Sequence, residues 1–322
     1  MDDSSPSVTV LIAARPDQAE IKALAASRAL DYPADKLEII VTRGRQPSAQ
    51  RNAGMKKARG DLVYFLDDDS LPLPGTLRHA VSHFTDQNVK IVGGPNLCPP
   101  DAPALEQVFA LVLRSWLAFG PSRARYAAVG KLRQTGEKEL ILCNLIARRD
   151  VMLELGGFNE TLYPNEENAL MDELQKRGGK LIYDPDFIVY RRPRRTLKAF
   201  ARMLRTYGRG RAEQFRLYPT PGSALNFVPP LFCLYLAALA PGWYFLGRAS
   251  GLPLMAYGLG VIAQTLALVA ESRRPFYSVC AAPLIVLSHI LYGLGFWHGL
   301  FTHLGGSHEG PSSPVSLECV SR

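Results

Sequence analysis

Three consecutive carboxylates, Asp67-Asp68-Asp69, follow the apolar run Leu62-Val63-Tyr64-Phe65-Leu66. Five apolar residues in a row suit a strand buried on both faces, so three like charges stand at the end of a buried element. Their self-repulsion is what a divalent cation, bound by hard carboxylate oxygens, offsets. Open α/β sheets bind ligands where such strands end. The alternative is a solvated acidic turn, since Asp commonly leaves a strand into a loop. A second acidic pair, Glu166-Glu167, follows Asn165 at the start of a helical pattern. There a carboxylate can act as a proton-accepting base, or simply favour a helix's first turn by roughly 0.3–1 kcal/mol. Arg51 offers a guanidinium suited to phosphate or sugar oxygens, or one that holds its own loop.

The elements that must position these groups can be read around them. Val8–Ala14 is a β-branched run that suits a first parallel strand, and 17–30 carries apolar residues at helical spacing. Leu37–Val41 reads as a second strand, Ala49–Ala58 as a short helix, and the run ending at Asp67 as a third strand. This β-α-β-α-β order implies a doubly wound, mostly parallel α/β sheet with helices on both faces. Further on, 77–84 reads as a helix, 89–94 as a strand, 140–147 as a strand or strand-to-helix entry and 150–155 as a helix stopped by Gly156-Gly157. Glu166–Arg177 is a helix closed by Gly178-Gly179, with a strand from Leu181. The segment 105–119 is strongly apolar but too short for an ordinary span, which suits a core or interfacial helix.

The chain has 322 residues and is 47% hydrophobic, room for two domains and too apolar for global disorder. Its net charge of +8 is concentrated in Arg191, Arg192, Arg194, Arg195, Lys198, Arg202, Arg205, Arg209, Arg211 and Arg216. Three runs follow, 227–247, 249–270 and 278–301, without Asp, Glu, Lys or Arg, each long enough to cross about 30 Å of hydrocarbon. A basic cluster against such runs reads as juxtamembrane, attracted to anionic cytoplasmic lipid, and not as a nucleic-acid site. A transporter is disfavoured, since these runs hold no charged pathway. The expected division is a catalytic domain over 1–190, a basic juxtamembrane segment over 191–226, a bundle of about three transmembrane helices over 227–303 and a disordered tail over 304–322. No signal peptide is expected before the first strand. The five cysteines lack metal spacing and are expected to be reduced.

The motifs recur in an order that resembles glycosyltransferase family 2, the inverting nucleotide-sugar enzymes of GT-A fold. The resemblance rests on Val8–Ala14, Glu38-Ile39-Ile40-Val41, Gln50-Arg51-Asn52-Ala53-Gly54, Phe65-Leu66-Asp67-Asp68-Asp69, Asn144–Arg149, Gly156-Gly157-Phe158-Asn159-Glu160, Asn165-Glu166-Glu167 and Tyr207-Gly208-Arg209-Gly210-Arg211. It covers roughly residues 7 to 212 and implies a metal-dependent glycosyltransferase in which Asp67 and Asp69 hold Mg²⁺ or Mn²⁺. Donor contacts are implied for Ala13, Arg15, Arg51, Asp67, Asp68, Arg209 and Arg211, and acceptor-side roles for Asn144, Gly157 and Phe158. The catalytic base is implied at Glu167, with Glu166 as its alternate.

Two departures stand out. The stretch after the second strand, Thr42-Arg43-Gly44-Arg45, has no carboxylate, which leaves the nucleobase open. Tyr190-Arg191-Arg192 stands where the family often has a metal-touching His, so ligation is expected from Asp69 and the diphosphate. A Gln-x-x-Arg-Trp segment is absent, favouring single addition over polymer synthesis. The resemblance implies a nucleotide-sugar donor and a lipid-linked or other membrane-associated acceptor in surface polysaccharide assembly. It implies a multi-pass inner-membrane protein with its catalytic domain in the cytoplasm, and leaves a homo-oligomer open. Polyprenyl phosphate as acceptor is the first alternative reading, and a non-catalytic membrane assembly partner with a degenerate GT-A domain the second.

Overall fold

The computed structural model describes residues 5–162, 165–219, 221–302 and 315–320. In chain order the elements are β1 (Val8–Ala14), α1 (Lys22–Arg28), β2 (Leu37–Arg43), α2 (Pro47–Lys57), β3 (Leu62–Asp67), β4 (Leu71–Pro72), α3 (Thr76–Val81), β5 (Val89–Gly93), β6 (Asn96–Leu97), α4 (Ala104–Leu113) and α5 (Trp116–Phe119). They continue with β7 (Arg133–Thr135), β8 (Asn144–Arg148), α6 (Arg149–Glu154), α7 (Glu166–Lys176), β9 (Lys180–Tyr183), β10 (Val189–Tyr190), α8 (Leu197–Leu217), α9 (Val228–Leu246), α10 (Leu252–Ser272), α11 (Pro275–Phe301) and β11 (Ser316–Val320). The chain divides into two compact units. One comprises Met1–Pro99, Ala124–Arg192 and Gly305–Arg322, the other Pro100–Arg123 and Pro193–Leu304. The expected contiguous domain over 1–190 is therefore interrupted: its apolar segment 100–123 belongs with the C-terminal helices.

The first unit is built on a sheet of order β11-β2-β1-β3-β8-β5-β9-β7. Strands β1, β2, β3, β5 and β9 run one way, and β7, β8 and β11 run against them. Period-2 alternation explains why β3 is apolar throughout. Leu62, Tyr64 and Leu66 pack on the face covered by Leu77, Ala80 and Phe84. Val63 and Phe65 pack on the other, against Met55, Met152, Leu170 and Met171. Helices thus cover both faces, as expected for this order of elements.

Two expectations need correction in this unit, and one feature was not expected. The helix expected over 17–30 is confined to Lys22–Arg28, because the Gln18 side chain donates to the Asp68 carboxylate and to the Glu20 carbonyl and holds 15–21 as a loop. Two-residue strands β4, β6 and β10, which carry no readable periodicity, form a second small sheet. The tail expected to be disordered includes β11, which pairs antiparallel with β2; residues 303–314 lie outside the described residues. β11 covers backbone groups that β2 would otherwise leave unpaired at the sheet edge, and Glu318 ion-pairs with Arg43 at 2.6 Å.

The second unit is helical. The 105–119 segment breaks at Arg114-Ser115, where Ser115 caps α5 through the Ala118 N–H. The basic α8 buries Phe200, Leu204, Gly208 and Ala212 at helical spacing. Gly208 lies so close to α11 that a Cβ there would meet the Tyr292 carbonyl at 2.0 Å. By length and composition, two helical stretches are apolar enough to cross a membrane, Ser223–Ser272 and Pro275–Phe301, against the three runs expected. The 50-residue stretch turns back on itself at Gly247, whose φ is 57°. Tyr235 Oη accepts from Leu254 N at 3.2 Å and the Phe232 and Tyr257 rings stand 4.5 Å apart. A continuous helix would separate Tyr235 from Leu254 by about 28 Å.

Candidate active site

The buried strand β3 delivers Asp67 to the carboxyl edge of the sheet, and a tight turn follows. Ser70 N donates to the Asp67 carbonyl at 3.0 Å, and Ser70 Oγ accepts from Asp67 N at 3.3 Å. This turn gathers Asp67, Asp68 and Asp69 at one place, each partly exposed.

Two arginines meet them from different elements. Helix α2 is docked by Gln50, whose Nε2 donates to the carbonyls of Ala14 (2.8 Å) and Thr42 (2.7 Å) at the ends of β1 and β2. Docking there sets Arg51 beside the end of β3, and its Nη2 donates to Asp67 Oδ1 at 2.9 Å. The second is Arg191. Tyr190 pairs with Leu71 in an antiparallel register, so the residue after Tyr190 lies opposite the turn that precedes Leu71. From there Arg191 Nε reaches Asp69 Oδ1 at 2.6 Å and Nη1 reaches Asp67 Oδ2 at 3.1 Å. Burial opposes the Arg191 charge, but Asp67, Cys143 and Asp69 outweigh it and keep the guanidinium protonated.

Arg51 also joins the acidic pair to this network, with Nη1 3.2 Å from Glu166 Oε1. Glu166 opens α7 behind Asn165, a non-glycine residue in the left-handed region at φ 98°. The Glu166 side chain is 3% exposed, and its Oε2 has no hydrogen-bond partner among the described residues. Burial, then the charge of Glu167, push the Glu166 carboxyl from its ordinary 4.5 up to about 8, over the opposing effect of Arg51. At neutral pH Arg51 therefore donates to a largely protonated acid on one side and pairs with a carboxylate, Asp67, on the other. Glu167 is the more exposed of the pair.

The residue after Arg51 secures the intervening loop. Asn52 Nδ2 donates to the Phe158 carbonyl (2.9 Å) and Glu160 Oε1 (2.8 Å), and its Oδ1 accepts from Phe158 N (2.8 Å). Gly157, at φ 78°, is required here, because a Cβ would meet Asn52 Oδ1 at 2.4 Å.

The structure thus joins Arg51, Asp67, Asp69 and Glu166 in one network, with Asp68 tied to the 15–21 loop through Gln18. Ala13 and Arg15 lie at the end of β1 and just beyond it, and the Arg15 carbonyl accepts from Arg43. Two of the residues expected on the acceptor side are enclosed by the fold. Asn144 is fully buried, with Tyr64 Oη donating to it and its own amide donating to the carbonyls of Pro95 and Phe187. Phe158 is buried edge-on against Phe65, at 5.5 Å between centroids. Both brace the fold, as Gly157 does. Arg209 and Arg211 lie on α8 in the second unit, where Arg209 ion-pairs with Glu213 at 3.3 Å and Arg211 donates to Gln214 at 3.0 Å. Sequence reasoning missed Arg191 and Gln18 as partners of the carboxylates, although it placed Tyr190-Arg191-Arg192 where the family often has a metal-touching His.

Asp67 and Asp69 provide hard oxygen donors that fit Mg²⁺ or Mn²⁺. With 43% of its side chain exposed, Asp69 is the more accessible of the two. A cation there competes with Arg191 for the same carboxylates.

A mostly parallel α/β sheet that gathers carboxylates and guanidiniums at its carboxyl edge is an architecture of the GT-A type. Residues 2–208 match the family described as "Glycosyltransferase like family 2", and the chain belongs to it. Pre-mycofactocin glycosyltransferases of two Mycobacterium tuberculosis strains, CDC 1551 / Oshkosh and ATCC 25618 / H37Rv, are 29% identical over 178 residues. That match covers 50% of this chain and 33% of those relatives, about a third of their length. Among solved structures, the mannosyltransferase PcManGT from Pyrobaculum calidifontis, in complex with GDP-Man and Mn²⁺, aligns with a TM-score of 0.55. Its identity is 20%, with 93% of this chain and 88% of that one covered, a likeness of fold.

Proposed function

We propose that this glycosyltransferase transfers a sugar, with inversion, from a nucleotide-sugar donor to a lipid-linked saccharide at the cytoplasmic face of the inner membrane. The single observation that carries the reading is the Glu166–Arg51–Asp67–Arg191–Asp69 network at the carboxyl edge of the sheet. Asp67, Asp68, Asp69 and Glu167 outnumber the two guanidiniums there. A pyrophosphate brought to that edge meets net negative charge unless a cation accompanies it. Mg²⁺ or Mn²⁺ held by Asp67 and Asp69 supplies that charge and stabilises the departing nucleoside diphosphate. Arg51 orients the donor's oxyanions, with Ala13, Arg15 and Asp68 along the same edge. Glu167 takes the proton from the acceptor hydroxyl, and Glu166, buried and largely protonated, holds Arg51 in place.

Membrane attachment is supported by the apolar stretches Ser223–Ser272 and Pro275–Phe301. With the reversal at Gly247, these make three crossings, α9, α10 and α11. The basic face of α8 then lies on the side of the anionic cytoplasmic leaflet. That attachment supports an acceptor met at the membrane.

The test supplies the full chain in membranes with Mn²⁺ and a panel of nucleotide sugars. One arm receives polyprenyl phosphate alone and the other a lipid extract containing lipid-linked saccharides. Donor-dependent nucleoside diphosphate release and label transfer only in the second arm is the expected result. Transfer with polyprenyl phosphate alone replaces the proposed acceptor. Metal-independent release overturns the role given to Asp67 and Asp69.

A further inference from the structure

Away from the network just described, two histidines and a carboxylate converge on one point. His79 lies on α3 and His83 one turn later, in the 3-10 turn Ser82–Thr85 that continues the helix. Residues four apart share a helix face. Both direct Nε2 at the same atom, Asp184 Oδ2, His79 at 2.9 Å and His83 at 2.8 Å. The three ligand atoms lie within 4.8 Å of one another.

Asp184 follows β9. Strands β3, β8, β5 and β9 are consecutive in the sheet, so the end of β9 is three strand spacings from the end of β3, roughly 14 Å. The two groups share no residue.

We infer that His79, His83 and Asp184 form a site for a divalent transition-metal ion of the Zn²⁺ class, distinct from the Asp67–Asp69 carboxylates. The carboxylate is prearranged. Its side chain is 2% exposed, Oδ1 is held by the Asp186 N–H at 2.9 Å, and its backbone N–H is anchored on the Gly93 carbonyl at 2.9 Å. Gly94 permits that close packing, since a Cβ there would meet the Phe187 carbonyl at 1.9 Å and the Asp184 carbonyl at 2.7 Å. Only Oδ2 remains directed at the helix, and it receives both imidazoles.

Two imidazoles and one carboxylate oxygen select Zn²⁺, Co²⁺ or Ni²⁺ over Mg²⁺ and Mn²⁺, which prefer all-oxygen sets. A tetrahedron with bonds of about 2.0–2.1 Å has ligand atoms about 3.3 Å apart, so the two N–O distances of 2.9 and 2.8 Å widen slightly on binding while the two Nε2 atoms, within 4.8 Å of each other, adjust toward the same spacing. His79, with 52% of its side chain exposed, can retreat and leaves the fourth position open to solvent, while His83 is 17% exposed. The bound ion joins α3 to the segment between β9 and β10, the strand that carries Arg191 to the carboxylates.

The test uses the full chain in detergent, stripped with chelator and titrated with Co²⁺ as a spectroscopic probe. The expected result is one equivalent of Co²⁺ with visible absorption of a four-coordinate site, displaced by Zn²⁺ and unchanged in Asp69→Asn. In His79→Gln and His83→Gln, shown to be folded by circular dichroism, affinity falls by more than about tenfold, a factor that loss of an outer-shell partner alone reaches. No absorption from folded wild type overturns the inference. So does absorption that persists in the double His79→Gln/His83→Gln variant, or that Asp69→Asn abolishes.

Discussion

The carboxylates that end β3 and those that open α7 are the same chemical group in opposite surroundings, although Arg51 touches both. Asp67 and Asp69 lie in a partly exposed turn with two guanidiniums against them, where their oxygens are within reach of a cation. Glu166 is shut away from water, shares one guanidinium with Asp67 and has a like charge for a neighbour. Its carboxyl is pushed up to about 8 in consequence. Charge compensation governs the first site and desolvation the second, and the two sites suit different steps of one transfer.

That contrast can be broken by substitution, beginning with the largest effect. Glu167→Gln removes the proposed base without altering size, and kcat is expected to fall about 10²–10⁴-fold with donor KM nearly unchanged. Retained kcat moves the base to Glu166. Asp69→Ala is expected to lower kcat/KM by on the order of 10²–10³-fold, the range for loss of one group that stabilises a developing charge. The loss should be accompanied by a higher Mn²⁺ requirement; an unchanged requirement removes Asp69 from the metal site.

The desolvated side is tested by pH. Glu166 binds its proton more tightly folded than unfolded, so the folded state loses stability as pH rises from about 4.5 to about 8. Glu166→Gln lacks this titration. Its Tm relative to wild type should therefore climb between pH 5 and pH 8. Parallel Tm profiles would show that Glu166 is not the titrating group. The smallest effect expected is at Arg191. Because this residue and a cation compete for Asp67 and Asp69, Arg191→Gln should lower half-saturating Mn²⁺ by roughly fivefold, at the low end of ordinary coupling. A rise would make Arg191 a support for the metal and not a competitor.

Much of this was legible in the sequence because it is written in local patterns. The apolar run before Asp67 fixes a two-sided buried strand, and the β-α-β-α-β spacing fixes the parallel core. Paired glycines at 156–157 and 178–179 mark where helices stop. The partners of the carboxylates were not legible, since they arise from pairing across distance. Arg191 reaches Asp69 only because the two-residue strands β4 and β10 are in register, and two residues have no periodicity to read. Asn144 and Phe158 belong to recognisable motifs, yet motif membership does not reveal burial. β11 escaped notice because it follows a Gly-, Ser- and Pro-rich segment. Its strand is defined by the edge of β2, not by its own five residues.

The central claim is that the two carboxylate groups divide donor binding from proton removal. It is tested most directly by measuring equilibrium binding of the nucleotide sugar, with and without Mn²⁺, to wild type, Asp69→Ala and Glu167→Gln, beside their transfer rates. The account predicts that Asp69→Ala loses the Mn²⁺-dependent part of donor binding. Glu167→Gln should bind donor as wild type does and fail to transfer. Normal Mn²⁺-dependent binding by Asp69→Ala, or donor binding lost in Glu167→Gln, would contradict it.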